Sequence, residues 1–419
     1  MYLGILWAVR RVAAEVDIRG TVDYMTTNKG RRFKAACFIL EGVGSFAVSF
    51  YSYYIYFFMR DHFGFGNKSN LAFAAVIGLV YFFSAWQAGR FARRYGYFTA
   101  LKLGFIVMIL ALALGARLDF VSGVVILTLL VNIGQCFLWP TIEALVSENE
   151  DARNLPGIIG TYNVVWASTN ALGLFGGGTL VEKFGFKTLF YLPIALLLTQ
   201  LALTFWLEKH VQDVARMSKA TPAPAPPPDP HRPSREKARV FLHLAWLANP
   251  FAYIAINTFV PLLPGLAARF QLTPMLAGFV CSLWGFVRLG TFFALWFWTG
   301  WHYRFRWLVT AFATLIIVFV VILTAPNLAV LLAAQLFFGA AIGLIYYSSL
   351  FYSMDVSETK SEHGGIHEAA IGLGNCVGPA VGALSLQFLP QYQDSSAIAV
   401  SVLLLGGFGT LLAIWKTAR

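Results

Sequence analysis

Apolar residues run along this chain in long continuous blocks, separated by short polar and often basic connections. Twelve blocks stand out: 36–59, 70–89, 99–117, 121–146, 156–181, 187–208, 240–268, 275–298, 307–325, 328–354, 364–389 and 395–416. Each is about 19 to 29 residues long, enough for a helix to cross about 30 Å of hydrocarbon. The blocks do not alternate with period two, so a membrane barrel is excluded. The pattern predicts an all-α polytopic membrane protein, with twelve transmembrane helices in two pseudo-symmetric six-helix bundles. Composition agrees: 58% of residues are hydrophobic and 12% charged, where a soluble domain carries about 25% charge.

Between the sixth and seventh blocks lies Thr221-Pro-Ala-Pro-Ala-Pro-Pro-Pro-Asp-Pro-His-Arg-Pro233. It holds seven of the 17 prolines, a composition that favours an extended, solvated linker. The expected organisation is an N-terminal segment (1–35), a first bundle (36–208), a linker (209–239) and a second bundle (240–416). With the N-terminus placed in the cytoplasm, 24 basic residues fall on that side and six on the other. The positive-inside rule then puts both termini and the linker in the cytoplasm, with a bacterial inner membrane as the expected location. Met25 is an alternative start, because Thr26–Lys34 already forms a basic flank for the first span. The formal charge of +11 is spread over loops at span ends and forms no nucleic-acid motif.

The halves repeat. Span 5 carries Asn170, Gly173 and Gly177, and span 11 carries Asn375, Gly378 and Gly382, in the same Asn-x-x-Gly-x-x-x-Gly order. Val146-Ser147-Glu148 matches Val356-Ser357-Glu358, and Phe82-Phe83-Ser-Ala-Trp86 matches Phe292-Phe293-Ala-Leu-Trp296. Small-xxx-small spacing predicts tight helix crossings at both glycine pairs.

Spans 3, 9 and 12 read almost uniformly apolar, whereas spans 1, 4, 5, 7, 8, 10 and 11 carry polar groups at helical spacing. Span 1 presents Glu41, Ser45, Ser49, Ser52 and Tyr56; span 4 presents Asn132, Gln135, Trp139 and Glu143, with Pro140 expected to kink it between the last two. Span 5 offers Asn163, Trp166 and Asn170, span 7 offers Trp246, Asn249, Tyr253 and Asn257, and span 10 offers Gln335, Tyr346 and Tyr347. A polar face in lipid must find a partner or water, so the stripes predict a shared aqueous cavity. Arg288 lies near the middle of span 8, one turn from Trp284. A charge at the bilayer centre costs about 2.5–3.5 kcal/mol; Arg288 must therefore meet an acidic partner, an anionic substrate or a ring face. Glu41 and Glu368 sit about a turn inside the ends of spans 1 and 11, within reach of water. Both suit proton coupling, with His367 as a relay to Glu368; a cap or ion pair is the ordinary reading.

Other chemistry is poorly supported. Cys37, Cys136, Cys281 and Cys376 all fall inside spans without zinc-type spacing, and read as reduced packing residues. His363 and His367 are four apart, but Gly364-Gly365 between them argues against a regular helix, and no metal site is expected. No phosphate-cradling loop, nucleophile elbow or cofactor motif appears.

The chain resembles the major facilitator superfamily of secondary transporters, in its six-plus-six spans and long central loop. The family signature between helices 2 and 3 is similar to Gly89-Arg90-Phe91-Ala92-Arg93-Arg94-Tyr95-Gly96, where both glycines and Arg94 match. Its usual acidic residue is replaced by Arg93, so a latch at that end would pair Arg93 or Arg94 with Glu143 or Glu148. Gly173-Leu-Phe-Gly-Gly177 and Gly378-Pro-Ala-Val-Gly382 approach the helix 5 motif. The resemblance implies alternating access about a central site lined by helices 1, 4, 7 and 10, with the glycine pairs of helices 5 and 11 at the interface between halves.

The expected function is secondary active transport of a small organic solute, by a monomer that binds no nucleic acid. The predicted binding surface comprises Asn132, Gln135, Trp139, Asn163, Trp166, Asn249, Tyr253, Asn257, Trp284, Arg288, Gln335 and Tyr346. Amides with rings suit a neutral polar or amphipathic substrate, and Arg288 suits an anion. A proton is the expected coupling ion. The alternatives are a membrane sensor that does not transport, and a lipid-handling or enzymatic protein using the same cavity.

Overall fold

The structure, a computed structural model, describes residues 28–147, 155–217, 234–356, 360–392 and 394–418. In chain order the helices are α1 (Asn28–Phe63), α2 (Asn67–Tyr95), α3 (Tyr97–Gly115), α4 (Val121–Cys136), α5 (Trp139–Ser147), α6 (Leu155–Phe184) and α7 (Thr188–Met217). The second half contributes α8 (Arg235–Arg269), α9 (Pro274–Cys281), α10 (Leu283–Phe297), α11 (Phe305–Thr324), α12 (Leu328–Val356), α13 (Lys360–Phe388) and α14 (Ser395–Thr417). They form twelve spans long and apolar enough to cross a membrane, the fourth made of α4 and α5 and the eighth of α9 and α10. No strand occurs among the described residues.

The break in the fourth span lies N-terminal to its expected position. Pro140 has no N–H to give the Cys136 carbonyl, and its ring crowds that carbonyl, so the helical ladder fails before the proline. The break falls at Phe137 and Leu138, whose N–H groups turn back to Gly134 O (3.1 Å) and Gln135 O (2.9 Å). In the eighth span the interruption at Ser282 involves no proline. There the Ser282 hydroxyl donates to Phe279 O at 3.2 Å, competing for a helical acceptor. Gly96 ends α2 with φ 93°, and its N–H bonds Ala92 O. Only glycine takes that conformation without strain, which explains this glycine of the signature.

Two boundary expectations change. Residues 209–217 contain no proline and continue α7, and α8 begins at Arg235, so helix enters both sides of the expected linker. The proline-rich stretch itself lies outside the described residues, as do Met1 and Met25. Helix α13 also runs through Gly364-Gly365, because a helix tolerates glycine at a cost of about 1 kcal/mol each when its remainder is well packed.

The packing is pseudo-twofold. Within the first half α1 lies against α6 and α7, and α3 against α4 and α7; within the second, α8 lies against α13 and α14, and α11 against α12 and α14. The halves meet where α2 crosses α13 and where α6 crosses α9 and α10. Hydrogen bonds reinforce this seam at the Asn70 end: Asn70 Nδ2 donates to Pro261 O (3.2 Å), Lys68 Nζ to Gln387 Oε1 (3.0 Å) and Met275 N to Glu182 Oε2 (3.0 Å).

The glycine expectation needs correction. Gly173 and Gly177 do mark a tight crossing, but with Ser49, Phe50 and Tyr54 of α1 in their own half; Gly378 likewise abuts Ile254 and Thr258 of α8. Only Gly382 reaches across, to Leu71. Tight positions at the seam include Gly78, where a side chain would strike the Asn375 carbonyl, and Gly178, where it would strike the Pro274 carbonyl. Gly177 and Gly178 are about 100° apart around the helix, so Gly177 faces Phe50 and Tyr54, whereas Gly178 faces Pro274 across the seam as well as the Tyr54 hydroxyl.

Candidate functional site

A cavity of about 230 Å³ lies between the halves, walled by α1, α2, α4, α5 and α6 on one side and by α8, α10, α12 and α13 on the other. Ten of the twelve predicted binding residues line it: Asn132, Gln135, Trp139, Asn163, Trp166, Tyr253, Asn257, Trp284, Arg288 and Tyr346. Gln335 and Asn249 are not in its wall. Gln335 is fully buried and donates to Val280 O at 2.9 Å, so its amide ties α12 to α9. Asn249 is buried with neither amide atom partnered, which nothing in the structure explains.

On the side of the first half the polar atoms form two hydrogen-bonded groups. Gln135 Nε2 donates to Asn132 Oδ1 (2.7 Å), and Asn132 Nδ2 donates to Ile77 O (3.1 Å). Asn170 Nδ2 donates to Ser49 Oγ (2.6 Å), and its Oδ1 accepts from the Tyr53 hydroxyl (2.8 Å). Its repeat partner Asn375 accepts from Asn257 Nδ2 (2.6 Å). Both asparagines of the repeated motif therefore face the cavity.

Arg288 is 3% exposed. Nη2 donates to Asn170 Oδ1 across the seam at 3.0 Å, and the guanidinium lies 4.5 Å from the Trp166 ring centre and 5.0 Å from that of Trp284. Among the described residues the ion pairs are His62 with Asp119 and Lys102 with Glu208, so Arg288 has no acidic partner. Two desolvated ring contacts at about 2 kcal/mol each and a charged hydrogen bond at about 1.5–3 kcal/mol exceed the insertion cost of about 2.5–3.5 kcal/mol. The side chain is thus stably held while its charge stays unbalanced. Nε is buried and has no hydrogen-bond partner.

A second contact across the seam is aromatic. Tyr346 stacks on Trp166 (5.5 Å) and on Phe292 (5.7 Å), and its hydroxyl donates to Asn163 Oδ1 at 3.1 Å.

Glu41 lies behind the wall, not in it. It is fully buried, so the expected access to water is absent; Ser45 donates to Oε1 at 2.7 Å, and Tyr162 and Glu143, both cavity residues, neighbour it. No cation forms an ion pair with Glu41 among the described residues. The side chains of His367 and Glu368 lie outside the described residues. Arg93 and Arg94 are exposed and form no ion pair among the described residues; Arg94 lies over the Tyr95 ring. The expected latch to Glu143 is not formed, since Glu143 sits in the cavity wall, and Glu148 is outside the described residues. Gly89 meets nothing close. No described group of His, Cys, Asp or Glu is arranged to hold a metal.

Tyr53, Tyr81 and Tyr162 line the cavity without having been predicted there. For Tyr53 a signal existed: it lies four residues after Ser49, on the same helical face.

Residues 103–383 match the sequence family described as Major Facilitator Superfamily. The chain belongs to the major facilitator superfamily. Solved structures with this superfamily fold include a point mutant of the peptide transporter POT (14% identity, 92% of this chain and 94% of that one, TM-score 0.68). They also include the human organic anion transporter TETRAN (16%, 91% and 99%, 0.59) and a point mutant of the nucleoside transporter NupG (14%, 92% and 100%, 0.62). At these identities the likeness is one of fold. No curated protein matches the sequence.

Proposed function

We propose that this superfamily member is a secondary active transporter that carries a small organic anion by alternating access. The observation behind this reading is Arg288, a buried guanidinium with no acidic partner among the described residues, facing a cavity between two halves. The fold alone does not choose a substrate, since similar structures are described as transporters of peptides, nucleosides and organic anions. The side chains favour a carboxylate or comparable group at Arg288, and a flat apolar body among Trp166, Trp284, Tyr346 and Tyr253. About 230 Å³ is below the ~300–1,000 Å³ of drug-sized pockets, so the solute is small.

Asn132, Gln135, Trp139, Asn163 and Asn257 complete the binding surface in this reading. Glu41 is the proton site, because it is ionisable, adjoins the wall through Tyr162 and lacks a cationic partner. The seam at the Asn70 end closes the outward side, with both termini in the cytoplasm and the Pro-rich stretch as a tether between halves. The test is a thermal-shift screen of small carboxylates against their neutral amides, followed by uptake into proteoliposomes. Carboxylates should stabilise the protein, by about 2.7 kcal/mol at a hundred times Kd, and be taken up; amides should do neither. Equal effects of acid and amide would refute the anion reading.

A further inference from the structure

A second cavity, of about 570 Å³, opens at the end of the second half where α8 and α11 begin and α14 ends. Lys237, Arg304 and Arg306 line it together with Phe305, Val309 and Trp415. Its frame is rigid. Tyr303 takes a left-handed conformation (φ 52°), and its N–H donates to the Tyr352 hydroxyl at 3.0 Å, which fixes the turn that presents Arg304. Phe305 and Trp415 stack nearly parallel at 4.3 Å and join the start of α11 to the end of α14. The three cations are exposed, and none forms an ion pair among the described residues.

The first half shows how the same place is closed. There Lys102, early in α3, is bonded at 3.0 Å to both carboxylate oxygens of Glu208 in α7. In the second half no acid takes the position of Glu208, and Trp415 and Lys416 stand near the end of α14 instead. Repeat packing is retained while the neutralising acid is lost, so three positive charges converge on an open space.

We propose that this cavity is a binding site for the phosphate headgroup of an anionic phospholipid. Lys237, Arg304 and Arg306 would hold the phosphodiester through charge-assisted hydrogen bonds. A membrane source fits better than a soluble phosphate because the wall reaches into the apolar zone. Val309 lies one turn inside a span of mean hydropathy 2.7, and Phe305 and Trp415 are rings at the level where aromatic residues favour the membrane interface. Basic pockets at helix ends suit such headgroups. The inference is independent of the transport reading.

Native mass spectrometry of the full-length protein, offered equal amounts of dioleoyl phosphatidylglycerol and dioleoyl phosphatidylcholine, tests it. The wild type should retain phosphatidylglycerol preferentially. Lys237→Gln combined with Arg304→Gln and Arg306→Gln should weaken that preference about tenfold or more, and Arg117→Gln with Lys183→Gln, after α3 and in the last turn of α6 in the first half, should leave it unchanged. Melting in phosphatidylcholine checks that the triple variant folds; should it fail, Arg306→Gln alone must show a partial loss that Arg306→Lys does not. A triple variant with undiminished preference overturns the proposal. So does displacement of the lipid by an equal concentration of glycerol phosphate, which would assign the site to a soluble ligand.

Discussion

Around the cavity, the first half supplies amides and hydroxyls already engaged with one another: Gln135 with Asn132, and Asn170 with Ser49 and Tyr53. The second half supplies Arg288, whose charge no described acid balances; rings come from both sides, Trp166 from the first half and Trp284 and Tyr346 from the second. The same contrast recurs at the helix ends, where Lys102 meets Glu208 in one half while Lys237, Arg304 and Arg306 stand without an acid in the other. Repetition has preserved helix packing but not the placement of charge. The acids at the cavity, Glu143 in its wall and Glu41 behind it, belong to the first half, and the proposed attraction for anions belongs to the second.

Four measurements test that contrast. The largest effect is expected from Arg288→Ala, which should weaken binding of the anionic solute by on the order of 100-fold or more, measured by calorimetry; Arg288→Lys should retain part of it. An unchanged affinity would end the division of labour. Next, Glu41→Gln should preserve ligand affinity and abolish accumulation driven by an imposed pH gradient in proteoliposomes. Accumulation that still follows the gradient would move proton coupling elsewhere.

A smaller effect separates packing within a half from packing between halves. Gly177→Val should force Tyr54 and Phe50 apart and lower stability by about 1–3 kcal/mol. Gly178→Val should instead obstruct the seam at Pro274 and slow transport more than it lowers the melting temperature. If both variants behave alike, the two adjacent faces of α6 do not have separate roles. The smallest effect on function belongs to Gln335→Leu. It should cost about 1 kcal/mol of stability through the lost bond to Val280 and leave the ligand titration curve in place.

Much of this was legible because lipid enforces it. Continuous apolar blocks set the number of spans, and amides such as Asn132, Gln135 and Asn163 are too costly in hydrocarbon to face anywhere but inward. The limits are equally physical. A buried glutamine donates as readily to a neighbouring backbone carbonyl as into a cavity, so spacing could not separate Gln335 from Gln135. Tyrosine is at home in lipid interfaces, cores and polar walls, and Tyr81 and Tyr162 therefore carried no distinguishing mark. Glycine spacing shows that a helix face is bare but not which helix covers it, hence the reassignment of Gly173 and Gly177 to α1. The interruption at Ser282 has no proline to announce it.

The seam near Gly78 brings one backbone against another, with Asn375 where a side chain would otherwise stand. Contact of that kind has little slack for sliding, but it can serve as a fulcrum. The far end of α2 at Tyr95 lies about 25 Å beyond it along the helix. A tilt of about 10° around such a pivot swings that end by about 4 Å, close to the rise of three helical residues. A small angle at a stiff bearing therefore becomes a wide displacement at the opposite rim, by leverage alone.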